Sequence, residues 1–176
     1  MKKVALIVET RKHKALPFVL DNVMSNLPND WELQIFHGLS NKEYVVKCSK
    51  DLGRQVHLTN LGIDTITADD SSLEIMLTED FWNKVVGETV LYFECDSMLC
   101  PNSEHKVVTD RIRNKPKVRD VLSFSIDNGY MYPLNDKAPF GLHKPWGANP
   151  AKGHGKYYED IIRVCEQVKK LERLND

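Results

Sequence analysis

The chain of 176 residues is 41% hydrophobic and 28% charged, which is the composition of one domain of ordinary size with a buried core. Its 24 Lys and Arg against 25 Asp and Glu give a net charge of -1, so the basic surplus that nucleic-acid binding draws on is missing. The longest strongly apolar runs, 4–8 and 90–93, are far shorter than the roughly 20 residues of a membrane-spanning helix. We therefore predict no nucleic-acid partner and no membrane span.

The N-terminus and the cysteines predict a cytoplasmic protein. Lys2 and Lys3 precede only five apolar residues, which is too short a run for a secretory signal. The cysteines are Cys48, Cys95, Cys100 and Cys165. They are too few and too scattered for a disulfide framework, so we expect free thiols. Cys95 and Cys100 are interpreted as core residues, because with His105 they lack the usual spacing of zinc ligands and a fourth ligand.

The first hundred residues alternate between predicted strands and predicted helices. Apolar runs predict strands over 4–8 and 89–93, and apolar residues that alternate with polar ones predict a strand over 31–36. A further strand is predicted over 56–58. Apolar residues at three- and four-residue steps predict helices over 16–27, 71–77 and 81–86. This alternation predicts an α/β domain with a mainly parallel sheet flanked by helices.

Local signals set the ends of the predicted helices. Pro17 suits the first turn of a helix. Ser40 and Glu43 form a capping-box pattern, which predicts a short helix that is over by Gly53. Gly87 is expected in a left-handed conformation at the end of the helical segment before it.

Beyond Pro101 the regular periodicity fails. Residues 110–120 are basic with almost no apolar partners, which predicts a linker or an exposed turn. Residues 121–126 predict a strand, and residues 128–149 predict a loop rich in Gly, Pro and Asn. An amphipathic helix is predicted over 157–174.

Two carboxylates follow the fourth predicted strand. Glu94 and Asp96 lie at the edge where parallel sheets bind their ligands. Carboxylates two residues apart can point to one face of an extended segment and offer hard oxygen ligands to Mg²⁺ or Mn²⁺. A strand that simply ends in polar residues is the alternative interpretation.

Residues 139–146 (PFGLHKPW) concentrate functional groups in a predicted loop. His143 can supply a metal ligand, and Lys144 can supply a point charge for phosphate oxygens. Pro145 restricts the backbone around them. A rigid surface turn with Trp146 packed on the core is the alternative.

The segment from Glu9 to His13 follows the first predicted strand. It offers hydrogen-bond donors and acceptors at the same edge of the sheet as Asp96. A solvated loop is the alternative. The chain has no phosphate-loop, Gly-x-Gly-x-x-Gly or Gly-x-Ser-x-Gly motif, so the usual signatures of kinases, Rossmann dehydrogenases and serine hydrolases are missing.

Several segments together resemble an uncharacterised family of glycosyltransferase-like proteins of GT-A fold. They are 4–11, 31–38, 81–82 with 88–100, and 124–146. The resemblance covers about residues 1–105 and 121–147, and its sharpest parts are 93–100 (FECDSMLC) and 139–146. The second part is also similar to the His-Lys-Pro-Trp region of glycogenin-type transferases.

This resemblance implies roles for individual residues. Asp96 and His143 are implied to bind a divalent metal, Mn²⁺ or Mg²⁺, while Glu94 replaces the first Asp of the usual Asp-x-Asp motif and is implied to act through water. Lys144 is implied to contact the diphosphate of a nucleotide-diphosphate sugar donor. The nucleotide site is implied to include Glu9, Thr10 and Arg11.

The resemblance also implies a shortened domain organisation. A single GT-A-like domain, 1–176, is divided into a nucleotide-binding half (1–100), a linker that replaces the acceptor half (101–120), a metal and diphosphate loop (121–150) and a C-terminal helix (157–174). The family's Gly-Asn-Gly-Gly-like segment and its Glu-Asp motif have no counterpart in this sequence.

Three functions are therefore open at the level of sequence. The leading one is a metal-dependent glycosyltransferase-like protein that transfers a sugar to an unknown acceptor. The second is a non-catalytic nucleotide-sugar or partner-binding remnant of such an enzyme. In the third, a metal-independent interaction module, Asp96 and His143 are only structural.

Overall fold

The computed structural model describes residues 2–64, 66, 75–100, 120–123, 141–143, 162–163 and 165–176. The strands are β1 (Lys3–Val8), β2 (Trp31–His37), β3 (Val56–Asn60), β4 (Thr89–Tyr92), β5 (Ser97–Leu99), β6 (Asp120–Ser123) and β7 (Gly141–His143). The helices are α1 (Leu16–Asn26), α2 (Lys42–Ser49), α3 (Glu79–Asn83) and α4 (Val168–Asn175).

The predicted parallel sheet is confirmed. Five strands lie in the order β3-β2-β1-β4-β6, and every neighbouring pair is parallel. Strands β5 and β7 form a separate antiparallel pair in which Ser97 is opposite His143. The molecule is thus an α/β protein, and the five-stranded sheet sets the position of the loops that follow β1 and β4.

The two faces of the sheet are covered by different elements. Successive side chains of a strand point to opposite faces, so Ala5 and Ile7 of β1 join one cluster and Val4 and Leu6 the other. Helices α1, α2 and α4 and the β5–β7 pair contribute to the first cluster, and α3 contributes to the second. Burial on both faces explains why β1 is a continuous apolar run.

A buried amide in β2 joins the sheet to the segment that covers its second face. The Gln34 side chain is fully buried and donates to Thr59 Oγ1 at 3.0 Å and to the Lys84 carbonyl at 2.8 Å. Its Oε1 accepts from the Val86 N–H at 3.0 Å. Both ends of the amide are therefore hydrogen-bonded, as a buried polar group requires.

A second buried amide, Asn22 of α1, joins three elements. Its Nδ2 donates to the Leu99 carbonyl and its Oδ1 accepts from the Leu99 N–H, at 3.0 and 2.7 Å. The same Nδ2 donates to Gln167 Oε1 at 3.0 Å. Asn22 therefore pairs with the backbone of β5 as a neighbouring strand would, and it also holds the turn before α4.

Two predicted details of the first half are wrong. Helix α2 begins at Lys42, so Asn41 and not Ser40 occupies the N-cap position, and its side chain makes no capping hydrogen bond. Gly87 is not left-handed, since the positive-φ glycines among the described residues are Gly53 and Gly62. A Cβ at Gly87 would lie 2.5 Å from Val4 Cγ1, so the chain passes too close to β1 for a side chain.

The second half also differs from its prediction. Strand β7 lies inside the segment predicted to be a loop, and β5 was not predicted. The single helix predicted over 157–174 is wrong, because Glu166 and Gln167 form a turn and α4 begins only at Val168. Residues 71–74, most of the basic run and residues 124–140 lie outside the described residues.

Nowhere in the part of the chain that the structure describes does a helix have the length and apolar character needed to cross a bilayer.

The contacts of Asn22 predict its contribution to stability. Replacing Asn22 with Ala removes three hydrogen bonds and leaves buried backbone groups of Leu99 without partners, so we expect a loss of about 2–3 kcal/mol in the free energy of unfolding. Urea unfolding measures it. The matched control is Asn26→Ala on the same helix, where one half-buried hydrogen bond to the Asn22 carbonyl is lost. Equal losses in the two variants would contradict the bridging role of Asn22.

Candidate functional site at the carboxyl ends of β1 and β4

The strand order reverses beside β1, and the region beyond the carboxyl ends of β1 and β4 is called the crevice below. From β1 the chain proceeds through β2 to β3 on one side and later crosses to β4 on the other. Ligands of open α/β sheets bind at such a reversal, beyond the carboxyl ends of the strands. The polar segments 9–13 and 94–96 follow β1 and β4, so the topology brings them to this crevice.

A carboxylate and a guanidinium form the centre of the site. Glu9 is buried, with 4% of its side chain exposed, whereas Arg11 is 59% exposed. Arg11 donates its backbone N–H and Nε to Glu9 Oε1, at 2.8 and 2.9 Å, and its Nη2 to Oε2 at 2.9 Å. This two-pronged geometry fixes the plane of the guanidinium while its Nη1 group lies away from Glu9.

The pair keeps its charges despite burial. Burial by itself raises the pKa of Glu9, but the hydrogen bonds and the positive charge of Arg11 outweigh it, and the net shift of this pKa is downward. The hydrogen bond to Glu9 also raises the pKa of Arg11. Arg11 is therefore a permanent cation held at a fixed place in the crevice.

The loop that carries this pair is anchored by Asn41. Its Nδ2 donates to the carbonyls of Glu9 and Arg11, at 2.9 and 3.0 Å, and its Oδ1 accepts from the Gly38 N–H at 2.9 Å. Thr10 is buried, and its Oγ1 accepts from the Ile66 N–H at 2.8 Å. The structure thus gives Thr10 a structural contact with the loop after β3.

A hydrogen bond sets the tautomer of His13 at the entrance to α1. Its Nδ1 accepts from the Ala15 N–H at 3.1 Å, so the proton of the neutral ring is on Nε2. Burial lowers the pKa of His13, with the nearby Arg11 acting in the same direction against Glu9 and Asp96. Tyr44 donates its hydroxyl to the His13 carbonyl at 2.7 Å, which anchors this part of the loop.

The turn after β4 brings two further carboxylates to the crevice. Glu94 accepts from the Tyr92 hydroxyl at 2.9 Å, and its backbone N–H donates to Ser97 Oγ at 3.2 Å. Asp96 is half-buried and near enough to Arg11 and His13 to influence the pKa of both. The crevice therefore combines the fixed Arg11 guanidinium with the carboxylates of Glu9 and Asp96, and Glu94 lies in the same turn as Asp96.

Cys95 lies between these carboxylates and is closed off from solvent. Burial raises its pKa well above the ordinary value, and the neighbouring Glu9 carboxylate, which shares a hydrogen bond with the thiol, raises it further. Asn175 of α4 donates to the Cys95 carbonyl at 3.1 Å. Cys95 is thus a packing residue, as predicted, and the C-terminal helix reaches the turn of the site.

The second predicted segment is described only in part. The pairing of β5 with β7 puts the backbone of His143 opposite Ser97, the residue after Asp96. The pairing therefore brings the backbone of His143 close to the turn that carries Asp96. Lys144 lies outside the described residues. Among the side chains that the structure describes, no three His, Cys, Asp or Glu residues are grouped as metal ligands.

Comparison with known proteins adds no family assignment: no family model matches the chain, and no curated protein matches it significantly.

Sequence reasoning missed two parts of this site. The capping-box pattern of Ser40 and Glu43 draws attention away from Asn41, although an Asn three residues after the His37-Gly38 pair is a candidate for hydrogen bonds to the loop backbone. Asn175 gave no signal, because its partner is 80 residues away.

The Glu9–Arg11 pair predicts a pH-dependent contribution to stability. Since the pKa of Glu9 is lowered in the folded state, its carboxylate stabilises the fold fully above the unfolded value of about 4.3 and loses this effect as pH falls through the folded value. We expect Glu9→Gln to lose about 1–2 kcal/mol at pH 7, because the charged hydrogen bonds disappear while Arg11 stays solvated. The loss should shrink below pH 4.

Urea unfolding of both proteins at pH 3 to 7 tests this prediction. Asp80→Asn is the matched control, because Asp80 is 88% exposed and lies 3.6 Å from Lys84, an arrangement that contributes little. A loss in Glu9→Gln that is the same at every pH would contradict the assignment of a charged Glu9.

Proposed function

We propose that this chain binds a nucleotide-diphosphate sugar together with Mn²⁺ or Mg²⁺ at the crevice between β1 and β4, and that it is a shortened GT-A-type glycosyltransferase. The observation that carries the proposal is the fixed Arg11 guanidinium among carboxylates at the reversal of strand order. A guanidinium with a free edge suits the oxygens of a phosphate. We further propose a cytoplasmic location, which agrees with the four free cysteines.

The charge balance of the crevice favours a requirement for a divalent ion. The charges of Glu9 and Arg11 cancel, and the side chains of Lys12 and Lys14 in the same loop are exposed to solvent, where their charges are screened. Glu94 and Asp96 add two formal negative charges at the turn after β4. A diphosphate brought to this edge would be repelled by both carboxylates. A divalent cation shared between carboxylate and diphosphate removes the conflict, so metal and nucleotide should bind together.

The donor groups fit such an ion. Glu94 and Asp96 offer hard carboxylate oxygens, which Mg²⁺ and Mn²⁺ prefer, and Asp96 Oδ1 is shielded from solvent. Asp96 and His143 would hold the ion, with Glu94 acting through water. When bound, the ion supplies Lewis-acid neutralisation of the diphosphate leaving group. Arg11 and Lys144 would bind and orient the diphosphate.

One observation favours the second candidate, a nucleotide-sugar-binding protein without turnover. A general base must have a free lone pair that can reach the proton it removes. Both oxygens of Glu9 accept from Arg11, and the Nδ1 of His13 accepts from Ala15. Glu9 is also buried and its pKa is lowered, so it is a weak base that a substrate does not reach. His13 and Glu9 are therefore poor candidates, and an inverting transfer would need another base.

Thermal unfolding with a panel of nucleoside diphosphates and nucleotide sugars tests binding. At about 100 times the dissociation constant a ligand stabilises the native state by roughly 2.7 kcal/mol, so we expect Tm to rise by about 5–10 °C with Mn²⁺. A chelator should abolish the rise, and Asp96→Asn should remove most of it. Arg11→Lys, which keeps the charge but not the fork, should weaken binding about tenfold.

Asp80→Asn is again the matched control and should respond as the wild type does, because it removes an equivalent carboxylate from a distant surface. An undiminished rise in Asp96→Asn, or one that persists in the chelator, would overturn the metal assignment.

Turnover separates the two candidates. The nucleotide sugar that stabilises the protein most is incubated with and without candidate acceptors, and release of the nucleoside diphosphate is followed. We expect slow release, because orientation of an acceptor accounts for several kcal/mol of such a barrier. Binding without any release supports the second candidate. Acceptor-dependent turnover at the 1 to 1000 per second of ordinary enzymes would contradict the inferred loss of the acceptor side.

A further inference from the structure

Two cysteines distant in sequence meet in the core away from the crevice. Cys100 directly follows β5, and Cys165 precedes the turn that leads into α4. They are 4% and 3% exposed and belong to the same buried cluster. Cys165 is near enough to Cys100 to raise the pKa of its thiol, and both thiols are free.

The backbone on both sides of this thiol pair is held in place by one side chain. Asn22 binds Leu99, the residue before Cys100, through both of its amide atoms. It also binds the side chain of Gln167, two residues after Cys165. The two segments are thus fixed against the same point of α1, so the sulfur atoms stay close to each other without a covalent bond.

We propose that Cys100 and Cys165 are a redox-sensitive pair that closes to a disulfide and fastens α4 to β5. The oxidant class is a low-molecular-weight disulfide. The thiolate of one cysteine attacks it and releases one thiol, which leaves a mixed disulfide. The second cysteine then attacks the mixed disulfide and releases the other half of the oxidant as a second thiol. The two protein thiols thereby lose two protons and two electrons, and one oxidant molecule becomes two thiols.

Burial controls how fast this reaction occurs. The neighbouring Cys165 and burial both raise the pKa of Cys100, so little thiolate is present while the core is closed. Exchange therefore follows local opening of α4. The exposed thiol in the described chain that competes is the partly exposed Cys48, which has no second cysteine beside it and stops at the mixed disulfide.

The cross-link would act on the candidate site through α4. Asn175 at the end of this helix donates to the carbonyl of Cys95 in the turn that carries Glu94 and Asp96. Opening of α4 breaks this hydrogen bond, and a disulfide at the other end of the helix opposes that opening. Oxidation would thus stabilise the turn that carries Glu94 and Asp96 without a chemical change in the crevice.

The experiment oxidises the purified full chain with oxidised glutathione, blocks the remaining thiols and maps peptides without reduction. We expect one peptide pair joined through Cys100 and Cys165, with Cys48 glutathionylated and Cys95 a free thiol. Tm of the oxidised protein should rise by about 5–15 °C and return on reduction, since the bond closes a long loop. Amide exchange in Val168–Asn175 should slow.

Cys48→Ser is the matched variant. It should form the same cross-link and show the same rise in Tm, whereas Cys100→Ser and Cys165→Ser should not. The map of the wild-type protein keeps the proposal testable even if a buried serine prevents folding. A disulfide between Cys95 and Cys100 would overturn the proposal. The oxidation is also repeated at a urea concentration that opens α4 but leaves the rest folded, and free thiols at Cys100 and Cys165 under that condition would overturn it as well.

Discussion

A carboxylate that is closed off from water must either lose its charge or find a partner that replaces its hydration. The partner of Glu9 is Arg11, two residues further along the chain. Asn41 holds both residues in place by donating to their backbone carbonyls. These hydrogen bonds therefore fix the conformation of the loop after β1 without a ligand. The position of Arg11, the closeness of Asp96 and the entry into α1 all follow from this conformation.

The elements that pack on one face of the sheet hold the turn after β4 in place beside the crevice. Helix α1 packs on the β5–β7 pair, and Asn22 replaces a missing strand neighbour at the edge of β5. The C-terminal helix reaches the turn before β5 through the hydrogen bond of Asn175 to the Cys95 carbonyl. The site is thus assembled from the beginning, middle and end of the chain, which makes its geometry depend on the complete fold.

Much of this fold could be predicted from local signals, and the rest depends on partners far away in the sequence. Strands β1 and β4 are apolar runs because both faces of each are buried, and in β2 apolar residues alternate with polar ones. The place of Glu9 to Arg11 follows from their position after β1. Three-residue strands such as β5 and β7 are too short for any periodicity. The role of Asn22 rests on Leu99, which composition and spacing cannot reveal.

The hydrogen bonds of the Gln34 amide favour one register of β2 in the sheet. Sliding a strand by one residue turns every side chain to the opposite face, which would bury this amide among the aliphatic side chains beneath α1, away from Thr59, Lys84 and Val86. An entirely apolar β2 would lose little stability in such a slip, since both faces of the sheet are covered by apolar side chains. The Gln34 side chain thereby helps to fix the register of β2 against its neighbouring strands.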